Sequence, residues 1–130
     1  MPERSGAGRA ALRIEIFPRD LDPVVDFYTG VLGFELVRDE RDRDWPYVAL
    51  QRDEVRIGAA RRDDPVDLAH RRPPSGTEIV LEVDDVAGER DRVAACWPLE
   101  EDLVERPWGV TDFRVLDPAG YYLRLTDRDR

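Results

Sequence analysis

The stretch that decides the fold of this protein is RPWGVTDFRVLDPAGYYLRL, which runs from Arg106 to Leu125. Its first, apolar-rich part predicts a strand that ends at Leu116. The four residues DPAG, 117–120, then turn the chain, because proline presets φ and glycine tolerates a positive φ. Polar and apolar residues alternate again from Tyr121 to Thr126, which predicts a second strand. The segment is therefore a predicted β-hairpin, and Trp108 stands directly before it beside a flexible glycine.

The length and composition limit how many domains the chain can form and which kinds of partner it can bind. Its 130 residues, 42% of them hydrophobic, can form one domain, or two small halves that share a core. The net charge is −9, so a nucleic-acid backbone would be repelled and cationic small molecules attracted. No apolar run approaches the ~18 residues of a membrane span, and residues 1–10 lack the apolar centre of a signal peptide. We expect a cytoplasmic protein with no nucleic-acid or membrane partner.

The first half of the chain carries signals for a strand, a helix and three further strands. Asp22 is a candidate N-cap, Pro23 suits the first helical position, and Gly33 ends the helix. The apolar face of this helix consists of Val24, Val25, Tyr28 and Leu32, with Phe27 beside it. The strands are predicted at 11–17, 34–38, 47–51 and 55–59, and the last two form a hairpin.

The same order of elements returns after a polar, proline-containing segment. A strand is predicted at 78–83, a helix capped by Asp84-Asp85 from 86 to about 96, and an edge strand at 99–105, before the hairpin. The single cysteine, Cys96, excludes an internal disulfide and lies in an apolar run, so we expect it in the core. The predicted organisation is a disordered arm at 1–10, a first half at 11–60, a linker at 61–76, a second half at 77–126 and a tail at 127–130.

The two halves repeat the same pattern. Asp20 and Asp84, each just ahead of a helix, are 64 positions apart (84 − 20), and Trp45 precedes the first hairpin as Trp108 precedes the second. We therefore predict an α+β fold of two βαβββ repeats that form curved mixed sheets, with the helices packed outside them.

Two stretches carry a resemblance to a known family. One is DFYTGVLGFEL at 26–36, with its aromatic pair and its Leu-Gly-Phe helix ending, and the other is the DPAG hairpin. With these motifs the chain resembles, from about Leu12 to Thr126, the vicinal oxygen chelate superfamily, which includes glyoxalase I, extradiol dioxygenases and antibiotic-binding resistance proteins. The resemblance implies that each βαβββ repeat wraps around a concave pocket.

The resemblance also implies where a metal ion would be bound. In metal-dependent members, His, Gln and Glu ligands come from the first strand of each half and from the last strands, and the corresponding residues here are Arg13, Glu78 and Arg124. A guanidinium offers only donors and cannot ligate a cation, and the one histidine, His70, lies in the linker. We therefore expect no metal, no other cofactor and no catalytic set. Glu78 and Arg124 either pair across the pocket or are solvated strand residues.

Aromatic side chains are the remaining candidates for ligand contacts. Trp45, Tyr47 and Trp108 flank or begin the two hairpins. In the metal-free bleomycin resistance proteins that the chain resembles, a Pro-Trp-Gly segment at the position of Trp108 lines the drug groove, and the ligands are cationic with flat aromatic units. Together with Glu78 and Arg124, these aromatic residues form the predicted ligand-binding set.

The sequence therefore predicts a metal-free protein that binds a cationic, antibiotic-like small molecule and confers resistance by sequestration. Two alternatives stay open: a lyase or isomerase of the same superfamily, with an unrecognised metal or a carboxylate general base such as Glu78, and a ligand-sensing accessory domain. We also expect a homodimer, because a single chain leaves edge strands and two half-cups unpaired, and similar single-chain members pair.

Overall fold

The computed structural model describes residues 8–64, 72–73 and 75–128 of the chain. The helices and strands are, in chain order, β1 (Ile14–Ile16), α1 (Leu21–Gly30), β2 (Glu35–Glu40), β3 (Tyr47–Arg52), β4 (Val55–Ala60), β5 (Glu78–Val83), α2 (Val86–Ala94), β6 (Glu101–Glu105), β7 (Thr111–Leu116) and β8 (Tyr122–Asp127). Neither α1 nor α2 has the length and apolar character that crossing a membrane requires.

The strands form two mixed sheets with the same internal order. The first sheet has the order β1-β4-β3-β2 and the second has the order β5-β8-β7-β6. In each sheet the first strand of the repeat runs parallel to the last, and the other pairs are antiparallel. The α+β fold of two βαβββ repeats predicted from the sequence is confirmed, and β6 is an edge strand as predicted.

Both helices begin after an aspartate whose side chain accepts a hydrogen bond from the first turn. Asp20 accepts from the backbone N–H of Asp22 at 3.2 Å, so the predicted cap at Asp22 is wrong, and Pro23 is the third residue of α1. Proline fits there because the first N–H groups of a helix have no intrahelical acceptor. Asp85 caps α2 by accepting from the N–H of Gly88 at 3.0 Å. The caps are 65 positions apart (85 − 20), so the predicted offset of 64 is one residue short.

The hydrogen-bond register shows which strand positions of the two repeats correspond. Glu15 on β1 lies opposite Gly58 on β4, and Val80 on β5 lies opposite Arg124 on β8. Glu15 and Val80 are themselves 65 positions apart (80 − 15), the same offset as the helix caps. Gly58 in the first sheet is therefore the counterpart of Arg124 in the second.

One hydrophobic core joins the two halves. The residues of the apolar face predicted for the first helix are buried in it, namely Val24, Val25, Phe27 and Tyr28 of α1 and Leu32 just beyond its end. The ring of Phe27 packs against Trp97 of the second half, with centroids 4.7 Å apart. The Tyr28 hydroxyl donates a buried hydrogen bond of 2.7 Å to Asp117, the first residue of the DPAG turn. Helix α1 of one half is thus fastened to the last hairpin of the other.

Cys96 is exposed, and the prediction that it lies in the core is wrong. The reason is that α2 ends at Ala94, after which both Cys96 and Trp97 donate their backbone N–H to the carbonyl of Val93. This tight turn brings the Trp97 side chain inward, where its Nε1 donates to the Leu116 carbonyl at 2.8 Å. The larger apolar side chain therefore takes the inward position that the sequence pattern assigned to the cysteine.

Several helices and strands also begin or end at other residues than predicted. Strand β1 begins at Ile14 rather than at residue 11, and β6 begins at Glu101 rather than at residue 99. Helix α1 ends at Gly30, and Gly33, the predicted terminator, lies beyond it with φ +74°, where the chain turns toward β2. The predictions for residues 1–7, for residues 65–71 and 74 of the linker with His70 among them, and for residues 129–130 fall outside the described residues.

Candidate functional site

Each sheet turns one face to the common core and leaves the other face open. In β8, Leu123 and Leu125 are fully buried in the core, so Arg124 between them belongs to the open face. Strand β7 follows the same alternation, and it places Asp112 and Arg114 on the open face beside Arg124. The open face of the second sheet is therefore lined by charged side chains.

Six charged side chains on this face form a closed ring of ion pairs. In order around the ring they are Glu78, Arg114, Glu101, Arg106, Asp112 and Arg124. Their N–O contacts measure 2.5 to 3.7 Å, and guanidiniums alternate with carboxylates, so the formal charges cancel. Of the two alternatives that the sequence left open, the structure shows the one in which Glu78 pairs with Arg124.

Asp112 is the most deeply buried member of this ion-pair ring. Its side chain is fully buried, and it accepts from Arg106 at 2.8 and 3.0 Å and from Arg124 at 3.3 Å. The hydrogen bond to Asp112 is the main reason that the pKa of the Arg106 guanidinium is raised above its ordinary value. A buried carboxylate needs such partners, because an unpaired charge in the interior is strongly destabilising. Asp112 therefore fixes two arginines at once.

The side chains at the positions of a metal site do not fit a divalent cation. Arg13 and Arg124 carry only donors, which repel a cation. Glu78 is a carboxylate, but its two oxygens already accept from Arg114 at 2.6 Å and from Arg124 at 3.2 Å. Within the part of the chain that the structure describes, no group of three His, Cys, Asp or Glu side chains could hold a metal ion. Two of those positions, Glu78 and Arg124, are instead paired with each other within the ion-pair ring.

Trp108 lies at the tip of a short turn beside this ring. The turn is closed by the Arg106 N–H, which donates to the Val110 carbonyl at 2.7 Å, and Gly109 within it has φ +97°. The Trp108 side chain is 56% exposed. It borders a cavity of about 240 Å³ whose other lining residues are Val80, Glu82, Val110, Arg124, Thr126 and Asp127.

The first sheet carries the other predicted aromatic residues. Trp45 is 88% exposed, and with Tyr47 it lines a groove of about 730 Å³. The Tyr47 hydroxyl donates to Glu15 at 3.1 Å, above Gly58, where a Cβ atom would come within 2.1 Å of that hydroxyl. Burial, followed by the hydrogen bond to Glu15, raises the pKa of Tyr47.

The structure thus divides the predicted site residues into two groups. Glu78, Trp108 and Arg124 lie on the second sheet, whereas Trp45 and Tyr47 line a separate groove on the first. The ring members missed by the sequence reasoning are Glu101, Arg106, Asp112 and Arg114. The alternation of charged with buried residues in β7 was the available signal for two of them, but it does not identify their partners.

A family profile described as the Glyoxalase/Bleomycin resistance protein/Dioxygenase superfamily matches residues 10–125 of the chain. The chain belongs to this superfamily. The fold of two βαβββ repeats described above agrees with this membership. A comparison with curated protein sequences found no match.

Solved structures of the same fold include proteins of different types. TioX from Micromonospora sp. ML1 has a TM-score of 0.74 and 21% identity, over 92% of this chain and 98% of that one. A bleomycin resistance determinant encoded on the transposon Tn5 has a TM-score of 0.74 and 23% identity, over 94% and 100%. Lactoylglutathione lyase from Agrobacterium tumefaciens has a TM-score of 0.71 and 21% identity, over 93% and 95%. At these identities the likeness extends to the fold alone.

Proposed function

We propose that this superfamily member binds a cationic, antibiotic-like small molecule without metal chemistry and acts by sequestration, as a bleomycin resistance protein does. The observation that carries the proposal is the ion-pair ring at Arg124. An arginine there cannot ligate a metal, and its partner Glu78 has no oxygen free of a guanidinium. The open face of the second sheet therefore offers a polar floor for a ligand in place of a Lewis acid.

The cavity beside Trp108 suggests the chemistry of the ligand. An exposed indole can stack on a flat aromatic group and attract a cation through its ring face. Glu82 and Asp127 line the same cavity and contribute negative charge near the indole of Trp108. Glu82 forms no ion pair or side-chain hydrogen bond with any described residue, so its carboxylate is free to meet a cation. An aromatic, positively charged molecule satisfies both features.

We propose that a homodimer completes the site. Trp45 and Tyr47 lie on a different face from Trp108 in the same chain. A two-fold pair that sets the first sheet of one protomer against the second sheet of its partner would bring both groups to one groove, twice per dimer. Light scattering is expected to give about twice the chain mass of 15.0 kDa at micromolar concentration. A stable particle of the single-chain mass would contradict the shared groove.

The experiment that tests sequestration is a titration with metal-free bleomycin as the cationic probe. We expect saturable quenching of tryptophan fluorescence and a raised melting temperature with the metal-free drug. In a separate assay with Fe(II) and air, stoichiometric protein is expected to protect DNA from bleomycin cleavage. A neutral bicyclic aromatic compound is the control for stacking alone. If bleomycin neither quenches the tryptophan fluorescence nor raises the melting temperature, the proposal of a cationic, antibiotic-like ligand is wrong.

The enzymatic alternative is separated from sequestration by elemental analysis of the purified protein. We expect less than about a tenth of an equivalent of Zn, Ni, Fe or Mn, because the donor set at Arg13, Glu78 and Arg124 repels a cation. One tightly held ion per chain, or turnover of a hemithioacetal of glutathione, would support a lyase or isomerase instead.

A further inference from the structure

We propose that the open face of the first sheet binds an anionic group, a carboxylate or a phosphate, through Arg13, Arg38 and Arg56. These three arginines line one concavity of about 220 Å³ together with Tyr47 and Gln51. The concavity is separate from the cavity beside Trp108 on the second sheet. The proposal stands on its own geometry and does not depend on the sequestration of a cationic ligand.

A β-bulge in β2 directs Arg38 onto this face. Leu36 lies opposite Leu50, which is buried in the core, and regular alternation would turn residue 38 toward the core as well. The register shifts after Leu36, so Arg38 lies opposite Ala49 on the open face, while Val37 is 54% exposed. A bulge of this kind re-aims a side chain, and bulges are frequent next to functional sites. The sheet thus departs from its regular register at the residue that adds a guanidinium to the concavity.

The arginines of this concavity are less fully paired with carboxylates of the described residues than those of the ion-pair ring are. Arg38 and Arg56 form no ion pair or side-chain hydrogen bond with any residue that the structure describes. Among the described residues, Arg13 meets one carboxylate, that of Glu15, at 3.4 Å, and its side chain is 52% exposed. The planar fork of a guanidinium matches the two oxygens of a carboxylate or phosphate. In a chain of net charge −9, this grouping creates a local surface that attracts anions.

The floor of the concavity leaves room for a small anion. Ala49, whose side chain is a single methyl group, lies in the lining of the concavity and opposite Arg38 of β2. Glu15 and Tyr47 form a hydrogen-bonded pair above Gly58, at the side of this floor. The one proton of the Tyr47 hydroxyl is already donated to Glu15, so the guanidiniums supply the contacts to an anion, and the Glu15 carboxylate is a nearby negative charge that opposes its binding.

The test is an NMR titration of the purified, ¹⁵N-labelled protein with benzoate and with inorganic phosphate, and benzamide serves as the neutral counterpart of benzoate. We expect the charged probes to shift the amide signals of β1, β3 and β4 around Ala49 and Gly58, and benzamide to leave them unchanged. The charged probe that saturates at the lower concentration shows whether the concavity prefers a carboxylate or a phosphate group. Saturation by either probe supports an anion site. Added salt is expected to weaken both.

Variants separate the site from non-specific charge. Arg38→Gln and Arg56→Gln are each expected to weaken the better probe about fivefold or more, the loss of one charge-assisted contact. Arg92→Gln, an equal charge change on the exposed side of α2, is the matched control and is expected to stay within about twofold. Glu15→Gln is expected to strengthen binding, because it removes a nearby negative charge.

Two results would overturn the proposal. One is that benzoate and phosphate bind wild-type protein no better than benzamide does, which needs no variant. The other is that the Arg38 and Arg56 variants bind the probes as tightly as the Arg92 variant. The bleomycin titration is scored by tryptophan quenching and the anion titration by the amide signals of β1, β3 and β4, so a failure of one is distinguishable from a failure of the other.

Discussion

Single residues decide what each open face can bind. Arg124 holds the central position of the second sheet, and its counterpart in the first sheet is Gly58. The arginine completes a ring of matched charges, whereas the glycine leaves space into which Glu15 and Tyr47 lean. Two repeats with the same backbone order therefore present opposite chemistry, one neutralised and one with unmatched positive charge.

Replacing Trp108 with alanine is expected to reduce affinity for bleomycin more than it reduces stability. A stacked contact of this kind contributes on the order of 1–3 kcal/mol to binding. A core tryptophan would cost roughly 3–5 kcal/mol of stability, which is not expected for a side chain that is 56% exposed. Melting temperature and dissociation constant are measured on the same variant.

Trp97→Phe is the matched control for this change, because Trp97 packs on Phe27 and donates to the Leu116 carbonyl. It should lower the melting temperature and leave the affinity per folded molecule unchanged. A Trp108 variant that behaves in the same way would show that Trp108 is a packing residue.

The titration of Tyr47 reports on its contact with Glu15. Burial and then the Glu15 hydrogen bond raise the pKa of Tyr47 above its ordinary value of 10.0. Because the pKa of Tyr47 is higher in the folded protein than in the unfolded chain, folding favours the protonated hydroxyl. The stability that depends on this protonated hydroxyl is complete below the pKa of the unfolded state, and it is lost as pH rises through the pKa of the folded state. Glu15→Gln should move the pKa of Tyr47 back toward 10.0, as followed by ¹³C signals of labelled tyrosine rings.

Tyr28, which is bound to Asp117, is the internal reference in the same spectra, and its signals should not change in the Glu15 variant. An unaltered Tyr47 titration in that variant would mean that the hydrogen bond contributes nothing to the shift. Gly58→Ala provides a second route to the same effect, since the new Cβ would displace the ends of both side chains.

At the scale of elements, helix starts and strand registers fix where these residues point. The cap of α1 is Asp20 because that residue is extended and the chain enters the helix directly after it. Both β2 and β6 depart from regular pairing with their neighbours, and the departure in β2 turns Arg38 outward. Small shifts of one residue therefore change which side chains share a face.

Removing the cap of α1 is expected to destabilise the protein. Asp20→Ala should lower the free energy of unfolding by ~1 kcal/mol, the usual loss of an N-cap. Asp22→Ala removes only a first-turn charge and an exposed ion pair with Arg41, so it should cost roughly half of that or less. Urea unfolding monitored by circular dichroism measures both. Equal losses in the two variants would contradict the assignment of the cap.

At the scale of the whole molecule, the two repeats are joined by side-chain contacts. The Tyr28–Asp117 hydrogen bond and the Phe27–Trp97 ring contact cross from one half to the other, as does an ion pair between Arg52 and the buried Glu89. A continuous core encloses these contacts. The halves are therefore expected to unfold in a single transition.

Tyr28→Phe tests this coupling. The change removes a fully buried hydrogen bond to a charged group and should cost roughly 1.5–3 kcal/mol. Tyr122→Phe, which loses a longer contact of 3.3 Å to Glu100, is the control and should cost less. Urea curves by tryptophan fluorescence and by circular dichroism should coincide in each protein. Separate midpoints in the wild type would show that the halves fold independently.

The sequence by itself determined the repeat, the identity of the helices and most strands, and the buried face of α1. These features follow from local periodicity and turn residues, which act over a few positions. It also placed arginines where a metal site would need oxygen or nitrogen ligands. It misplaced Cys96 because the inward direction after α2 depends on Trp97 reaching the Leu116 carbonyl, a contact between residues distant in the sequence.

Only the tertiary structure decided which charges meet. The ion-pair ring joins side chains from β5, β6, β7 and β8 and from the turn after β6, and no local pattern relates Glu78 to Arg114 or Arg106 to Asp112. The position of Arg38 on the open face of the first sheet depends likewise on a bulge in β2. Charge pairing requires distances of a few ångströms across strands, and those distances are set by sheet order and register.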